Sequence, residues 1–269
     1  MKKILLFSLP LFFLTAIGIH EINIASTKPK PADNNAYAID KKGTNDILDI
    51  VRKHLEDENS IGLKVGTKFF HQMPKEKLLN AQTIYDILPD EITEDSISIS
   101  EFRIGFHEVF KSIEYSAKGK TLSETQKLKL KKLRYTENYY VKAEAKRYDS
   151  TYAEYIDYEL AYFVSVVPNI NATYKGGNEN LLAFLIQKSK SLYSTIDVKK
   201  LGSGRIYFTI SSEGKIIASS IEGQSGNAGL DTLLSKHLNN APENWQAAID
   251  QNGKETAQEL ILFYGNSGC

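Results

Sequence analysis

The chain has almost no cysteine: among its 269 residues, Cys269 is the only one. A single thiol excludes an intramolecular disulfide and a cysteine-rich metal site. It also excludes a lipoprotein anchor, which needs a cysteine directly after a signal segment. We therefore interpret Cys269 as an incidental thiol.

The chain also lacks an excess of charge of either sign, because 33 lysines and arginines balance 33 aspartates and glutamates. This balance favours neither a dedicated nucleic-acid binder nor a strongly acidic protein, and we expect no nucleic-acid partner. A content of 42% hydrophobic and 25% charged residues excludes a wholly disordered chain. The length suits about two domains of ordinary size.

Recognised catalytic motifs are missing as well. The sequence contains no His-Glu-x-x-His, no Gly-x-Ser-x-Gly and no phosphate-cradling lysine loop. The five histidines are scattered, and His107 and Glu108 would point to opposite faces of a strand. We therefore predict a protein that is not an enzyme, with no catalytic residues, no cofactor and no metal site. An enzyme remains the third alternative.

One long apolar run is present, at residues 4–19, directly after two lysines. It predicts that residues 1–25 direct export to the periplasm. Because a spanning helix needs about 20 apolar residues, the run favours a cleaved signal peptide, and a retained inner-membrane anchor is the alternative. Residues 26–43 contain two prolines and two adjacent asparagines, and they predict a linker without its own core.

Residues 44–167 predict a helix followed by a β-rich module. Apolar residues around Val51 recur at helical spacing, and from Ile61 to Phe69 the period changes to two. Strand-like patterns return at residues 96–106, 139–145 and 159–167, and a helix with Thr121 and Glu124 in a capping box is predicted between the first two. Four tyrosines at roughly helical spacing predict a packed stripe, with a carbohydrate-facing surface as the alternative; they are Tyr152, Tyr155, Tyr158 and Tyr162.

The last third of the chain predicts a small αββαβ unit with a three-stranded antiparallel sheet. Residues 181–192 and 230–239 carry apolar side chains at helical spacing. Residues 205–221 alternate on both sides of a Ser-Ser-Glu-Gly loop, which predicts a hairpin. A final alternating segment, residues 256–263, follows an Asn-Gly turn. The predicted fold class of the whole chain is therefore α+β.

Several short motifs of this unit occur in a fixed order. They are Tyr174-Lys175-Gly176-Gly177, Gly204-Arg205-Ile206-Tyr207-Phe208-Thr209-Ile210, Glu213-Gly214-Lys215-Ile216, Leu230-Asp231, Pro242-x-x-Trp245 and Asn252-Gly253-Lys254. In this order and spacing they make residues 174–264 resemble the TonB C-terminal domain in its Bacteroidota-type form. The resemblance implies a periplasmic binding module without chemistry of its own.

In that family a sheet edge pairs with an extended segment of an outer-membrane transporter. Strand addition of this kind supplies affinity through backbone hydrogen bonds. Carried over to this chain, the resemblance implies that residues 256–263 form the recognition edge. The implied partner-binding residues are Thr256, Gln258, Leu260, Leu262 and Phe263.

The middle region carries a second resemblance. A strand at residues 96–106, the run Lys118-Gly119-Lys120-Thr121-Leu122-Ser123-Glu124-Thr125-Gln126-Lys127, then Lys131-Lys132-Leu133 and a strand at residues 139–145 follow one another. In this order, residues 61–167 resemble the periplasmic sandwich modules of the gliding motility protein GldM. That resemblance implies a spacer or assembly component of an envelope machine.

Two functions therefore compete. The first is a non-enzymatic cell-envelope protein that binds an outer-membrane transporter or another envelope protein by strand addition and supports energy-coupled transport across the outer membrane. The second is a structural spacer of an envelope machine. Association of copies of the chain with one another is left open by both.

Overall fold

The computed structural model describes residues 49–54, 60–108, 111–149, 151–193, 195–242 and 245–266. These residues all belong to one compact unit, Asp40–Cys269. The predicted export segment and linker, residues 1–25 and 26–43, lie outside the described residues. Within the described part of the chain, no helix has the length and apolar character needed to cross a membrane.

The described elements are mixed α and β, with strands predominating. Residues 49–54 are helical and are called α1. The other helices are α2 (Lys75–Asn80), α3 (Glu124–Lys132), α4 (Asn178–Tyr193) and α5 (Ala228–Asn239). The strands are β1 (Ile61–Gly66), β2 (His71–Pro74), β3 (Ile97–Glu108), β4 (Lys111–Lys118), β5 (Asn138–Asp149), β6 (Glu154–Val167), β7 (Thr173–Tyr174), β8 (Ser203–Ile210), β9 (Ile216–Gly223), β10 (Trp245–Gln246), β11 (Ala248–Ile249), β12 (Glu255–Thr256) and β13 (Gln258–Asn266).

The middle of the chain forms a five-stranded sheet with the order β2-β6-β5-β3-β4. All neighbours are antiparallel except β2 and β6, which are parallel. Alternate residues of the long strands face one core, as the cross-strand pairs Ile104 with Val141 and Tyr139 with Val164 illustrate. The predicted β-rich module is therefore present.

Helix α3 begins two residues later than its sequence indicates. Ser123, not Thr121, is the N-cap: its Oγ accepts from the backbone N–H of Gln126 at 3.3 Å, and Gln126 Oε1 accepts from the Ser123 N–H at 2.8 Å. Thr121 instead forms a β-bridge with Thr83. The segment offers two overlapping capping boxes, and the bridge to Thr83 fixes which of them is used.

The last third of the chain contains α4, β8, β9, α5 and β13, in the predicted αββαβ order. Helix α5 has Asn227 as its N-cap, with Oδ1 accepting from the Leu230 N–H at 3.0 Å. The leucines of α4 and α5 cover one face of the sheet. Trp245 closes this core, with its ring 5.3 Å from that of Tyr174 and 5.5 Å from that of Phe208.

The sheet of this unit has four strands, in the order β1-β13-β8-β9. The prediction of a three-stranded sheet is therefore wrong, because it did not include β1. Strand β1 lies antiparallel to β13 along its whole length, from Ile61 opposite Asn266 to Gly66 opposite Ile261. Ile61 and Leu63 are buried in the same core as α4 and α5. Burial of these two side chains explains why the strand joins this sheet.

The predicted boundary between the two modules is therefore wrong at its N-terminal side. Residues 49–66 were assigned to the β-rich module, yet Val51, Ile61 and Leu63 belong to the C-terminal core. Only after residues 67–70 does the chain enter the five-stranded sheet, at β2. Alternation shows which side chains of a strand are buried, but it does not show which sheet buries them.

The tyrosine stripe is a strand feature and not a helical one. Tyr155, Tyr158 and Tyr162 lie on β6, where neighbouring side chains alternate between the two faces. Tyr158 and Tyr162 pack against the core, whereas Tyr155 lies on the open face with its ring 5.4 Å from that of Tyr148. The four residues therefore do not share a surface.

Candidate functional site

The predicted recognition strand is an interior strand of its sheet. β13 pairs with β8 on one side and with β1 on the other, so its residues 261–265 have partners on both sides. The expectation of an uncovered edge there is wrong. The reason is β1, whose apolar face completes the core and whose backbone completes the ladder.

The five predicted partner-binding residues have different surroundings. Leu260 and Leu262 are buried in the core under α4 and α5. Thr256 lies on a separate short strand, where it pairs with Ala248. Phe263 is partly exposed on the opposite face of the sheet. Among these residues, Phe263 and Thr256 are therefore partly exposed, and only Phe263 lies on β13 itself.

Gln258, the fifth of them, connects the two modules. Its side chain is 2% exposed. Its Oε1 accepts from the Ala172 N–H at 2.7 Å, and its Nε2 donates to Asn171 Oδ1 at 2.7 Å. Asn171 in turn donates to Gln72 Oε1 at 2.8 Å. These bonds hold the connection between β6 and β7 against β13, so the role of Gln258 here is structural.

The outer strand on this side of the sheet is β1. The carbonyl oxygen of Ile61 lies 2.7 Å from His54 Nε2, and because a carbonyl oxygen can only accept, Nε2–H donates. The Ile61 carbonyl therefore points away from β13. In an antiparallel ladder the backbone groups alternate in direction from residue to residue, so those of Leu63 and Val65 point outward too. Among the described residues, no strand pairs with that side of β1.

An open cleft of about 450 Å³ follows this edge. Its wall is formed by the outward face of β1 and by Phe263 of the neighbouring strand. The residues after β1 form the other side, where Phe70 is 81% exposed. Exposed aromatic surface next to unpaired backbone groups is what a partner strand needs in order to bind.

Two lysines lie over phenylalanine rings in this cleft. Lys64 Nζ is 5.2 Å from the ring centroid of Phe70, and Lys68 Nζ is 5.6 Å from that of Phe69. Both lysine side chains are exposed. Neither ammonium forms an ion pair with a described residue. The cleft therefore combines an apolar surface with positive charge.

The other sheet edges are less suited to accepting a strand. The pairing of β9 with β8 is irregular near both of its ends. β2 has four residues and ends in a proline, which lacks a backbone donor. On β4, the Glu114 carboxylate accepts from the Tyr140 hydroxyl at 2.6 Å and lies within 3.8 Å of two basic groups. Bulges, short length and charge all protect edges, whereas β1 is regular and carries one charged residue.

Two glycines in the sheets lie directly opposite tyrosines. Gly105 pairs with Tyr140, and Gly204 pairs with Tyr264. A Cβ atom at Gly105 would lie 2.0 Å from Tyr140 Cζ, and one at Gly204 would lie 2.3 Å from Tyr264 Cζ. Each ring therefore covers the space that its glycine leaves empty.

In both pairs the tyrosine hydroxyl reaches a carboxylate. Tyr140 donates to Glu114, and Tyr264 donates to Asp231 Oδ1 at 2.9 Å. Burial, followed by the hydrogen bond to Asp231, raises the pKa of Tyr264 far above its ordinary value. The sequence contained a signal for these pairs, since an isolated glycine inside a strand pattern marks a close approach.

Groups of three or more potential metal ligands are absent from the described residues. Comparison with known proteins adds no assignment. No family model, curated protein or solved structure matches the chain.

Proposed function

We propose that this chain is an exported, non-enzymatic envelope protein that binds an extended segment of a partner by strand addition. The binding edge is the outer side of β1. The observation that carries the proposal is that no described strand pairs with the outer side of β1, which is a regular strand beside an aromatic cleft. The resemblance of residues 174–264 to the TonB C-terminal domain supports the same mode of binding, and an outer-membrane transporter is the partner it implies.

The energetic basis of such binding is the backbone. Leu63 and Val65 each offer one N–H and one C=O to an incoming strand. A net contribution of about 1 kcal/mol for each hydrogen bond gives a few kcal/mol in total. Burial of the exposed Phe70 ring adds about 25 cal/mol for each Å² removed from water. These sources make weak to moderate binding possible without a large interface.

A spacer or assembly role is the second candidate, and one observation favours it. The two modules are tied together by side-chain hydrogen bonds as well as by the chain. Besides the bonds of Gln258, the Tyr135 hydroxyl donates to Gln251 Oε1 at 2.5 Å, and the Phe69 N–H donates to Ser165 Oγ at 2.9 Å. Modules joined in this way suit a rigid component, as the resemblance to GldM implies.

The deciding experiment replaces Val65 by proline or by alanine in the full chain. Proline removes the outward N–H of residue 65 and leaves the ladder with β13 intact, whereas alanine removes the two valine methyl groups and keeps the N–H. A photoreactive residue at position 64 then reports on partners in the intact envelope. We expect cross-links in the Val65→Ala protein and their loss in the Val65→Pro protein.

Thermal unfolding of both variants provides the folding control. If they unfold at similar temperatures and give the same cross-links, binding does not use the outer edge of β1, and the proposal is overturned. A photoreactive residue at Leu128, which is 58% exposed on α3, provides a control for nonspecific neighbours.

A further inference from the structure

The outer face of β1 has an unusual sequence pattern. Ile61, Leu63 and Val65 face the core, so Gly62, Lys64 and Gly66 face the other way. Two of these three positions have no side chain, and they flank the single lysine. A partner strand that pairs with β1 would therefore have no side chain opposite it at Gly62 and Gly66. Between these two positions it would lie opposite the positive charge of Lys64.

Among the described residues, the β13 neighbours of Gly62 and Gly66 leave space beside them. Gly62 pairs with Gly265, which also lacks a side chain. A Cβ atom added at Gly66 would have the Phe263 ring, 3.9 Å away, as its nearest neighbour. The strand β13 therefore places no side chain opposite Gly62, and Gly66 remains open beside the Phe263 ring.

The chain itself shows which residue fits opposite a strand glycine. At Gly105 and at Gly204, the directly paired residue is a tyrosine whose ring lies over the glycine. The same geometry applies to a strand added outside β1, because cross-strand partners there are also about 5 Å apart. Aromatic residues of the partner are therefore expected opposite Gly62 and Gly66.

Lys64, which lies between Gly62 and Gly66, favours a negatively charged residue in the partner strand. Lys64 is exposed, it lies over the Phe70 ring, and it forms no ion pair with a described residue. Lys68 adds a second positive charge along the same cleft. A carboxylate directly opposite Lys64 would be attracted, and a lysine there would be repelled.

We propose that β1 selects an extended partner segment with aromatic, acidic and aromatic residues at alternate positions, read by Gly62, Lys64 and Gly66. This inference rests on the proposed strand addition. It names the chemistry of the partner: a peptide strand that carries a carboxylate between two aromatic rings.

The test uses short synthetic peptides with Tyr-Thr-Glu-Thr-Tyr at the centre and the full chain. Binding is followed by fluorescence anisotropy. Replacing the peptide's glutamate by lysine is expected to weaken binding roughly threefold to tenfold, because a favourable cross-strand charge pair becomes an unfavourable one. With the Lys64→Glu protein the preference should reverse.

Filling one of the spaces gives a second readout. Gly66→Val is expected to weaken binding of the tyrosine peptide by roughly a factor of ten, since the peptide ring and the valine cannot occupy the same space. A peptide with alanine in place of both tyrosines should bind equally to both proteins. Unfolding measurements on the Gly66→Val protein check that it remains folded.

The outcomes separate the two proposals. If all peptides bind alike to every variant and the Val65→Pro protein still loses its cross-links, strand addition stands and the selectivity is overturned. If no peptide binds and the Val65→Pro protein keeps its cross-links, both are overturned. Reversal of the charge preference by Lys64→Glu supports the selectivity directly.

Discussion

The hydroxyl group of Tyr264 donates a hydrogen bond to Asp231 Oδ1 over 2.9 Å, and this contact joins the last strand to helix α5. The same oxygen accepts from the Ser225 N–H at 3.1 Å and from the Ser225 hydroxyl at 2.6 Å. Asp231 is 4% exposed, so its carboxylate depends on these three donors.

Removing the Tyr264 hydroxyl should therefore destabilise the protein. For Tyr264→Phe we expect a loss of about 1–3 kcal/mol in the free energy of unfolding, because the buried carboxyl group of Asp231 loses one of its three donor contacts. Urea denaturation measures the change. Tyr155→Phe, at a tyrosine that is 66% exposed, should stay within about 0.5 kcal/mol. Equal effects of the two changes would argue against a special role of the contact.

A methyl group at Gly105 should disturb the Tyr140 ring that covers it. The added Cβ would lie 2.0 Å from Tyr140 Cζ, so the ring must move, and this movement disturbs its hydrogen bond to Glu114. We expect Gly105→Ala to cost about 1–3 kcal/mol. The same change at Gly66, where the nearest atom is 3.9 Å away, should cost much less.

The double variant Gly105→Ala, Tyr140→Ala tests the cause. If the clash explains the loss, the cost of Gly105→Ala should be much smaller once the Tyr140 ring is absent. Additive costs in this cycle would show that the glycine is needed for another reason.

Lys75 should stabilise the end of helix α3. Its Nζ donates to the carbonyl oxygens of Lys131, at 2.7 Å, and of Leu133. Lys75→Met leaves these carbonyls without their charged donor, and we expect it to cost about 1–2 kcal/mol. Lys77→Met is the matched control, since Lys77 lies with Lys75 on α2 but pairs with the exposed Asp90. That pair should contribute about 0–1 kcal/mol; a larger effect at Lys77 would contradict the assignment.

Stability should depend on pH through Glu259. Burial first, and then the charge of Glu222, raise the pKa of Glu259 above 4.5, while Lys68 partly opposes them. The folded state therefore keeps this proton at pH values where the unfolded state has lost it. Stability falls as the pH rises from about 4.5 through the raised folded pKa, and the penalty is complete above it.

Glu259→Gln removes this penalty. The variant should be more stable than the parent chain at neutral pH, and the difference should vanish below about pH 4. Solvent screening reduces the effect, because much of the Glu259 side chain is exposed. Denaturation curves at several pH values measure it. A difference that does not change with pH would exclude ionisation as its source.

Strand β1 should be part of the C-terminal folding unit. Leu63 is buried with α4 and α5, so Leu63→Ala should cost about 2–5 kcal/mol. Lys64→Ala, at the neighbouring exposed position, should have little effect. In the Leu63→Ala protein, the backbone amides of β13 and β8 should lose protection from hydrogen exchange, because these strands lie in the same sheet as β1. Loss confined to the five-stranded sheet would restore the predicted boundary.

Local patterns predicted much of this fold. Both long helices of the C-terminal unit, its hairpin and three of the five strands of the middle sheet, β3, β5 and β6, follow from periodicity, because each has one buried face. The predicted N-cap of α3 was two residues too early, because Thr121 and Ser123 are each followed three residues later by a residue that can complete a capping box. These residues are Glu124 and Gln126. A distant bridge at Thr121 decides between them.

The candidate site could not be predicted in the same way. The apolar alternation of residues 61–66 is equally compatible with either sheet, and only tertiary packing places β1 beside β13. Gln258 was predicted to bind a partner, yet its amide oxygen accepts from the backbone N–H of Ala172 inside the protein. Such long-range partners leave no periodic signal in the sequence.

The chain between β1 and β2, residues 67–70, leads directly from one sheet into the other. A pull along a strand attached to β1 would act parallel to its six paired positions with β13 and load them in shear together. Shear spreads a force over all hydrogen bonds of a ladder, whereas peeling breaks them one at a time. Residues 67–70 would transmit the part of the force that β13 does not resist into the five-stranded sheet. This arrangement suits a chain that bears a pulling force.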